Sequence, residues 1–188
     1  MFSFQPSRLA PYAKSLFLLL LCFFHHPLFA AEITEEDYRL GASDLLQITV
    51  FGEEDLSVER RVNSRGTISY PLLGKIHVQG MTVNEVEDEL TNLLKGDYLV
   101  NPKVNVVIKE YRKFYVRGEV KDPGAFPYVP GLTLDKAIAI AGGFTERASQ
   151  KNLTVSREQA DGTRKEVEMK LEAQLMPGDI VIVKESFF

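Results

Sequence analysis

The chain has 188 residues, enough for one domain or two small ones, with 45% apolar and 26% charged residues, so wholesale disorder is excluded. Its formal charge is −4, and this moves to −6 once the two bases of the first thirty residues, Arg8 and Lys14, are set aside. An acidic body does not favour nucleic acid, where clustered positive charge supplies most of the affinity. Twelve Phe and seven Tyr with no Trp fit a strand-rich core.

Residues 1–30 read as a secretory signal peptide. Arg8 and Lys14 form a positive start, Ser15–Phe24 (SLFLLLLCFF) a short apolar core, and Pro27 with Ala30-Ala31 a cleavage region followed by acidic residues. The apolar run is short of the roughly 20 residues that a spanning helix needs, and His25, His26 and Pro27 interrupt it. Cleavage after Ala30 or Ala31 is expected, with an uncleaved anchor as the alternative. Cys22 is the one cysteine of the chain. A bacterial lipoprotein cysteine follows a small residue, and here Leu21 precedes it, so lipidation at Cys22 is not expected.

After an acidic lead-in, Asp44 precedes an alternating run, Leu46, Ile48 and Val50, that reads as a half-buried strand. Val58, Arg60 and Val62 alternate again. Asn63-Ser64-Arg65-Gly66 is a turn, Thr67–Tyr70 a third strand, and Pro71 and Gly74 break it before Ile76–Val78. Gly80-Met81-Thr82 leads into a helix. Thr82 and Glu85 form a capping box, and Val83, Val86, Leu90 and Leu93 are the expected buried stripe. Glu85, Glu87, Asp88 and Glu89 are expected to face water, and Gly96 to end the helix. Val104, Val106 and Ile108 then form a strand opened by Asn101-Pro102.

Phe114, Val116 and Arg117 belong to an extended run ending at Gly118. Asp122-Pro123-Gly124 supplies a turn in which Pro123 presets φ and Gly124 is expected to take the positive φ. Ala125–Val129 resume an extended path, and Pro127, without an N–H, implies that this strand lies at a sheet edge or is irregular. Gly131 precedes Thr133, which caps a second helix whose apolar face is Leu134, Ala137, Ile138 and Ala141. Gly142 and Gly143 stop it. Leu153 and Val155 alternate in a further strand, Asp161-Gly162 turns it into Lys165–Met169, and Pro177-Gly178-Asp179 leads to Ile180–Val183, an apolar run expected to be buried on both faces. The whole is an α+β fold of two small modules, 32–110 and 113–186. The start Gly80-Met81-Thr82-Val83 is echoed by Gly131-Leu132-Thr133-Leu134, a similarity short enough for helix-start chemistry alone to produce it.

Groups suited to bond breaking are scarce. Beyond the leader the one histidine is His77, expected to face solvent, and there is no cysteine. A zinc site of the usual ligands cannot be built. Glu53-Glu54-Asp55 and the helix carboxylates read as solvated surface. No glycine loop has phosphate-cradling spacing. No catalytic residue, metal or cofactor is therefore expected. The aromatics are the remaining candidates, because their faces pack on the C–H faces of sugars. Tyr70, Tyr98, Tyr115, Phe126 and Tyr128, with Arg117, are the candidate glycan or assembly surface, the alternative being that they fill the core.

Two stretches carry a family resemblance. YRLGASDLLQITVFGEEDLSVERRVNSRGTISYPLLGKIHVQGMTVNEVEDEL (Tyr38–Leu90), with NPKVNVVI (Asn101–Ile108), resembles the polysaccharide export domain of the outer-membrane polysaccharide exporters. VRGEVKDPGAFPYVPGLTLDKAIAIAGGFTERA (Val116–Ala148), with LMPGDIVIV (Leu175–Val183), resembles the soluble-ligand-binding β-grasp (SLBB) domain that follows it in that family. The resemblance implies export of capsular or exopolysaccharide from the periplasm of a Gram-negative cell. It also implies a homo-oligomeric ring around a passage and an inner-membrane co-polymerase partner that often carries a tyrosine kinase. Larger members end in an amphipathic helix that crosses the outer membrane. Here Phe188 follows the last strand closely, so a separate outer-membrane pore is expected. A periplasmic glycan-binding or sensing module is the competing reading. A carbohydrate-active enzyme is a third, which would need two carboxylates roughly 5–9.5 Å apart across a cleft.

Overall fold

The alternation of Leu46, Ile48 and Val50 produces the strand it predicts: β1 (Leu45–Val50) buries these three side chains and turns Gln47 to solvent. The computed structural model describes residues 38–159 and 161–186, so the leader, its cleavage site and Cys22 lie outside the described residues. The described residues belong to one compact unit that holds two separate apolar cores. It contains ten strands and two α-helices among the described residues, the α+β composition expected.

In the first module β1 is the centre of an antiparallel sheet, between β2 (Val58–Arg61) and β5 (Val104–Glu110). β3 (Thr67–Tyr70) and β4 (Gly74–His77) form a separate hairpin. The turn into β3 is held by Asn63, whose Oδ1 accepts from the amides of Arg65 and Thr67. His77 is exposed, as expected.

Helix α1 (Val83–Leu94) begins at the expected capping box: Thr82 Oγ1 accepts from Glu85 N, and Glu85 accepts from Thr82 N. Its stripe differs from the expected one. Val86, Leu90 and Leu94 are buried, whereas Leu93 is 41% exposed. Spacings of three and four both continue the stripe from Leu90. The chain after the helix folds back over Leu94, whose carbonyl accepts from Tyr98 N and Leu99 N, and so selects that side. Glu87 also departs from a purely solvated role, since Oε1 accepts from Val106 N and ties α1 to β5.

The second module is a five-stranded sheet of order β7-β6-β10-β8-β9. Its strands are β6 (Phe114–Gly118), β7 (Gly124–Phe126), β8 (Ala148–Glu158), β9 (Arg164–Glu168) and β10 (Ile180–Glu185). The β6–β10 pair is parallel and the other pairs are antiparallel. β7 is an edge strand that stops before Pro127, in keeping with the missing N–H.

The turn before β7 is not the one expected. Gly124 does not take a positive φ; it opens β7 opposite Val116. The positive φ falls at Gly118 (92°), where a Cβ would overlap the Val183 carbonyl oxygen. The chain therefore reverses through Gly118–Pro123, and glycine is required where β6 leaves β10, not beside Pro123.

Helix α2 (Leu134–Ile140) is capped by Thr133 Oγ1, which accepts from Lys136 N. Leu134, Ala137, Ile138 and Ala141 are all buried, as predicted. Gly142 N donates to Ala139 O and Gly143 N to Ile138 O, a Schellman stop with both glycines at positive φ. β10 is not buried on both faces: Val181 and Val183 are in the core, and Ile180 and Ile182 stay partly exposed on the other face. Gly80 and Gly131 share a positive φ ahead of capping threonines. The likeness ends there, because one helix accompanies a three-stranded sheet and the other a five-stranded one.

Candidate functional site at the junction of the two cores

The residues that join the two cores come from two turns of similar build. Asp44 stands just before β1 and Asp179 just before β10, and both are buried. Asp44 Oδ2 accepts from Gly41 N (2.7 Å), and Asp179 Oδ2 from Met176 N (2.8 Å), each three residues upstream. Asp44 also accepts from the Tyr38 hydroxyl (2.8 Å) and from Arg112 N (2.6 Å). Asp179 takes the fork of Arg157, with Nε 3.0 Å from Oδ1 and Nη2 2.7 Å from Oδ2. Burial pushes the Asp44 carboxyl above its usual range, against the lowering effect of its hydrogen bonds and of Arg112. Burial, and then the adjacent Asp44 charge, push the Tyr38 hydroxyl far upward as well.

Arg112 is the connector. Its Nε donates to Pro177 O (3.0 Å), its Nη1 lies 3.8 Å from Asp44 Oδ2, and its guanidinium carbon is 5.8 Å from the centre of the Tyr38 ring. Gly41 and Gly178 flank it. A Cβ at Gly41 would overlap the guanidinium, and one at Gly178 would come 2.8 Å from Nε. An edge-to-face series runs beside it, from Tyr38 to Tyr111 (5.1 Å) to Tyr128 (5.5 Å), and the Tyr128 hydroxyl donates to Leu175 O (3.2 Å). Over this junction lies a cleft of about 770 Å³. Arg39, His77 and Gln79 line it from the first module, Arg112 from the connector, and Arg157 and Asp179 from the second. Glu158 is the other carboxylate of the wall, 3.6 Å from Arg164 Nη1. Both cleft carboxylates are thus engaged by arginines.

The aromatic surface expected from sequence divides. Tyr70 is a core residue, 2% exposed, with its hydroxyl donating to Leu56 O (2.7 Å). It follows Ile68 by two residues on β3 and so shares the inward face. Phe126 packs on the second core at 5.7 Å from Phe114, and Tyr128 belongs to the junction. Tyr115 (47% exposed) and Arg117 lie on the outer face of the five-stranded sheet, in register with Ile180 and Ile182. Tyr98 (46% exposed) stands apart, two residues before the exposed Val100. Reading by sequence alone missed Asp44, Arg112, Arg157 and Asp179. The available signal was an acid in the turn just before each of two strands, GASD and PGD.

Among the described residues no group of three or more His, Cys, Asp or Glu side chains is arranged to hold a metal ion. Among them, too, no helix is long and apolar enough to cross a membrane.

Comparison with known proteins bears on the whole arrangement. The family model described as polysaccharide biosynthesis/export protein matches residues 32–109, and the SLBB domain model matches residues 113–167. The chain is 31% identical over 121 residues to the exopolysaccharide production protein ExoF of Rhizobium meliloti (strain 1021), covering 58% of this chain and 29% of that protein. It is 33% identical over 134 residues to the EPS I polysaccharide export outer membrane protein EpsA of Ralstonia solanacearum, covering 57% of this chain and 35% of the relative. It is 28% identical over 124 residues to the polysialic acid transport protein KpsD of Escherichia coli, covering 64% of this chain and 22% of the relative. The matched region thus spans about a third or less of these relatives' length. With an export domain and an SLBB domain in succession over residues 32–167, the chain belongs to the polysaccharide biosynthesis/export protein family.

Proposed function

We propose that this chain is a periplasmic, outer-membrane-associated component of a machine that exports capsular or exopolysaccharide. In this reading it assembles as a homo-oligomeric ring that forms or gates the passage. The observation that carries the reading is the succession of export and SLBB domains in one chain. The leader-like first thirty residues support export across the inner membrane, and the likeness to an outer membrane protein of Ralstonia solanacearum supports the outer-membrane association. The partners are the exported polysaccharide and an inner-membrane co-polymerase with or without its tyrosine kinase. The chain itself is read as non-catalytic. Deleting its gene should abolish surface polysaccharide while synthesis continues, and normal secretion from the deletion strain would refute the reading.

The outer face of the five-stranded sheet is the assembly surface we favour. It sets Ile180 and Ile182 of β10 between Tyr115 and Arg117 on β6 and the carboxylates Glu166 and Glu168 on β9. A face with a positive and a negative side suits the head-to-tail contacts of a ring, which join two different surfaces. The double change Tyr115→Glu, Arg117→Glu is expected to reduce the particle mass in solution to that of a monomer with an unchanged circular dichroism spectrum. An intact oligomer in this variant would move the contact elsewhere. The competing reading, a glycan-binding module that forms no passage, draws on the junction cleft; a parent protein that is monomeric at all concentrations would favour it.

A further inference from the structure

We propose that the cleft between the two modules is a binding site for a carboxylate-bearing sugar segment. The inference rests on the export reading for its choice of a saccharide, and on the wall of the cleft for the acid. The chain as a whole is acidic, yet Arg39, Arg112 and Arg157 converge on this one cleft. The carboxylates that share the wall are already matched, Asp179 by Arg157 and Glu158 by Arg164.

The cationic groups keep donors to spare. Arg112 makes a side-chain hydrogen bond only through Nε among the described residues, and its Nη1 at 3.8 Å from Asp44 is beyond hydrogen-bond range. Among the described residues Arg39 uses Nη1 alone, for Gly80 O and Glu85. A planar guanidinium presents parallel N–H groups that match a carboxylate. Gln79 and Gln159, on opposite modules, add amides able both to donate to and to accept from sugar hydroxyls. The volume of about 770 Å³ falls within the usual range of ligand sites, about 300–1,000 Å³. Because both modules supply walls, a bound segment would bridge them.

The test is calorimetric titration of the purified chain with three probes: a tetrasaccharide of glucuronic acid, the same tetrasaccharide with its carboxylates reduced to alcohols, and sodium sulfate. The acidic sugar should bind at least about tenfold more tightly than its reduced form, as expected when charge-assisted hydrogen bonds are lost. Its affinity should fall several-fold between about 50 and 300 mM salt. Arg39→Gln and Gln79→Ala, both at exposed positions, should each weaken binding about fivefold or more, while Val100→Ala, exposed and outside the cleft lining, should leave it unchanged. Equal binding of the reduced sugar, indifference to both cleft variants, sulfate binding as strong as that of the acidic sugar, or no binding of the acidic sugar at millimolar concentration would each overturn the proposal. The two readings fail separately. A deletion strain that retains its polymer, paired with a blank titration, removes the cleft alone. Normal secretion by the deletion strain removes the export reading whatever the titration shows.

Discussion

At the scale of single residues, Asp44 has the most to explain. It is fully buried, three donors converge on it, and the Arg112 charge is nearby, yet burial outweighs these and raises its pKa. The unfolded carboxyl titrates near about 4. Between that value and the higher folded one, the folded chain keeps a proton that the unfolded chain has released. The group's contribution to stability is therefore greatest below the unfolded value and falls as pH rises through the folded one. Asp44→Asn should remove that slope. It should also cost about 1–3 kcal/mol, because an amide N–H then meets groups that themselves donate. Urea unfolding of both proteins across the acid range measures this. Glu110 and Asp161, whose carboxyls are lowered by Arg61 and Thr163, slope the opposite way but cancel in the comparison. Parallel stability curves for the parent and the variant would sink the account. The sequence displays an acid before a strand, but not what meets it. Arg112 lies 68 residues further on, and no local pattern joins the two.

At the scale of elements, legibility followed how local the cause was. Thr82 with Glu85, Thr133, and the Gly142-Gly143 stop act within one turn of helix, and each could be read directly. Gly124 misled because Pro-Gly is a common turn pair, whereas the close approach of β6 to Val183, which demands a glycine at Gly118, is a tertiary fact. Tyr70 was within reach, since period-two alternation from Ile68 places it inward. The stripe of α1 was ambiguous in principle, because both Leu93 and Leu94 continue a helical face from Leu90. Mutation separates the two. Leu94→Ala should lose about 2–5 kcal/mol, as large-to-small core changes do, and Leu93→Ala less than about 0.5 kcal/mol. Thermal melting of the two variants reads the difference, and equal losses would mean that α1 packs on another face.

At the scale of the molecule, two cores are coupled through a small junction. The Tyr38–Tyr111–Tyr128 series connects them side chain to side chain, and the Arg112 guanidinium reaches the Pro177 carbonyl. An aromatic pair is worth about 0.5–1.5 kcal/mol beyond its buried area, and a charge-assisted hydrogen bond about 1.5–3 kcal/mol. That sum is comparable to the stability difference that can separate two small modules, so it should decide whether they unfold together or in turn. The parent is expected to melt in one calorimetric transition. Tyr111→Ala combined with Arg112→Ala should broaden it or split it in two, with the calorimetric enthalpy exceeding the van't Hoff value. Each single variant should show a smaller effect, because the other contact persists. If the double variant melts in one transition as sharp as the parent's, the cores are coupled by the backbone and the Asp179 turn instead. If it splits, the same junction that shapes the cleft also sets how freely one module turns on the other.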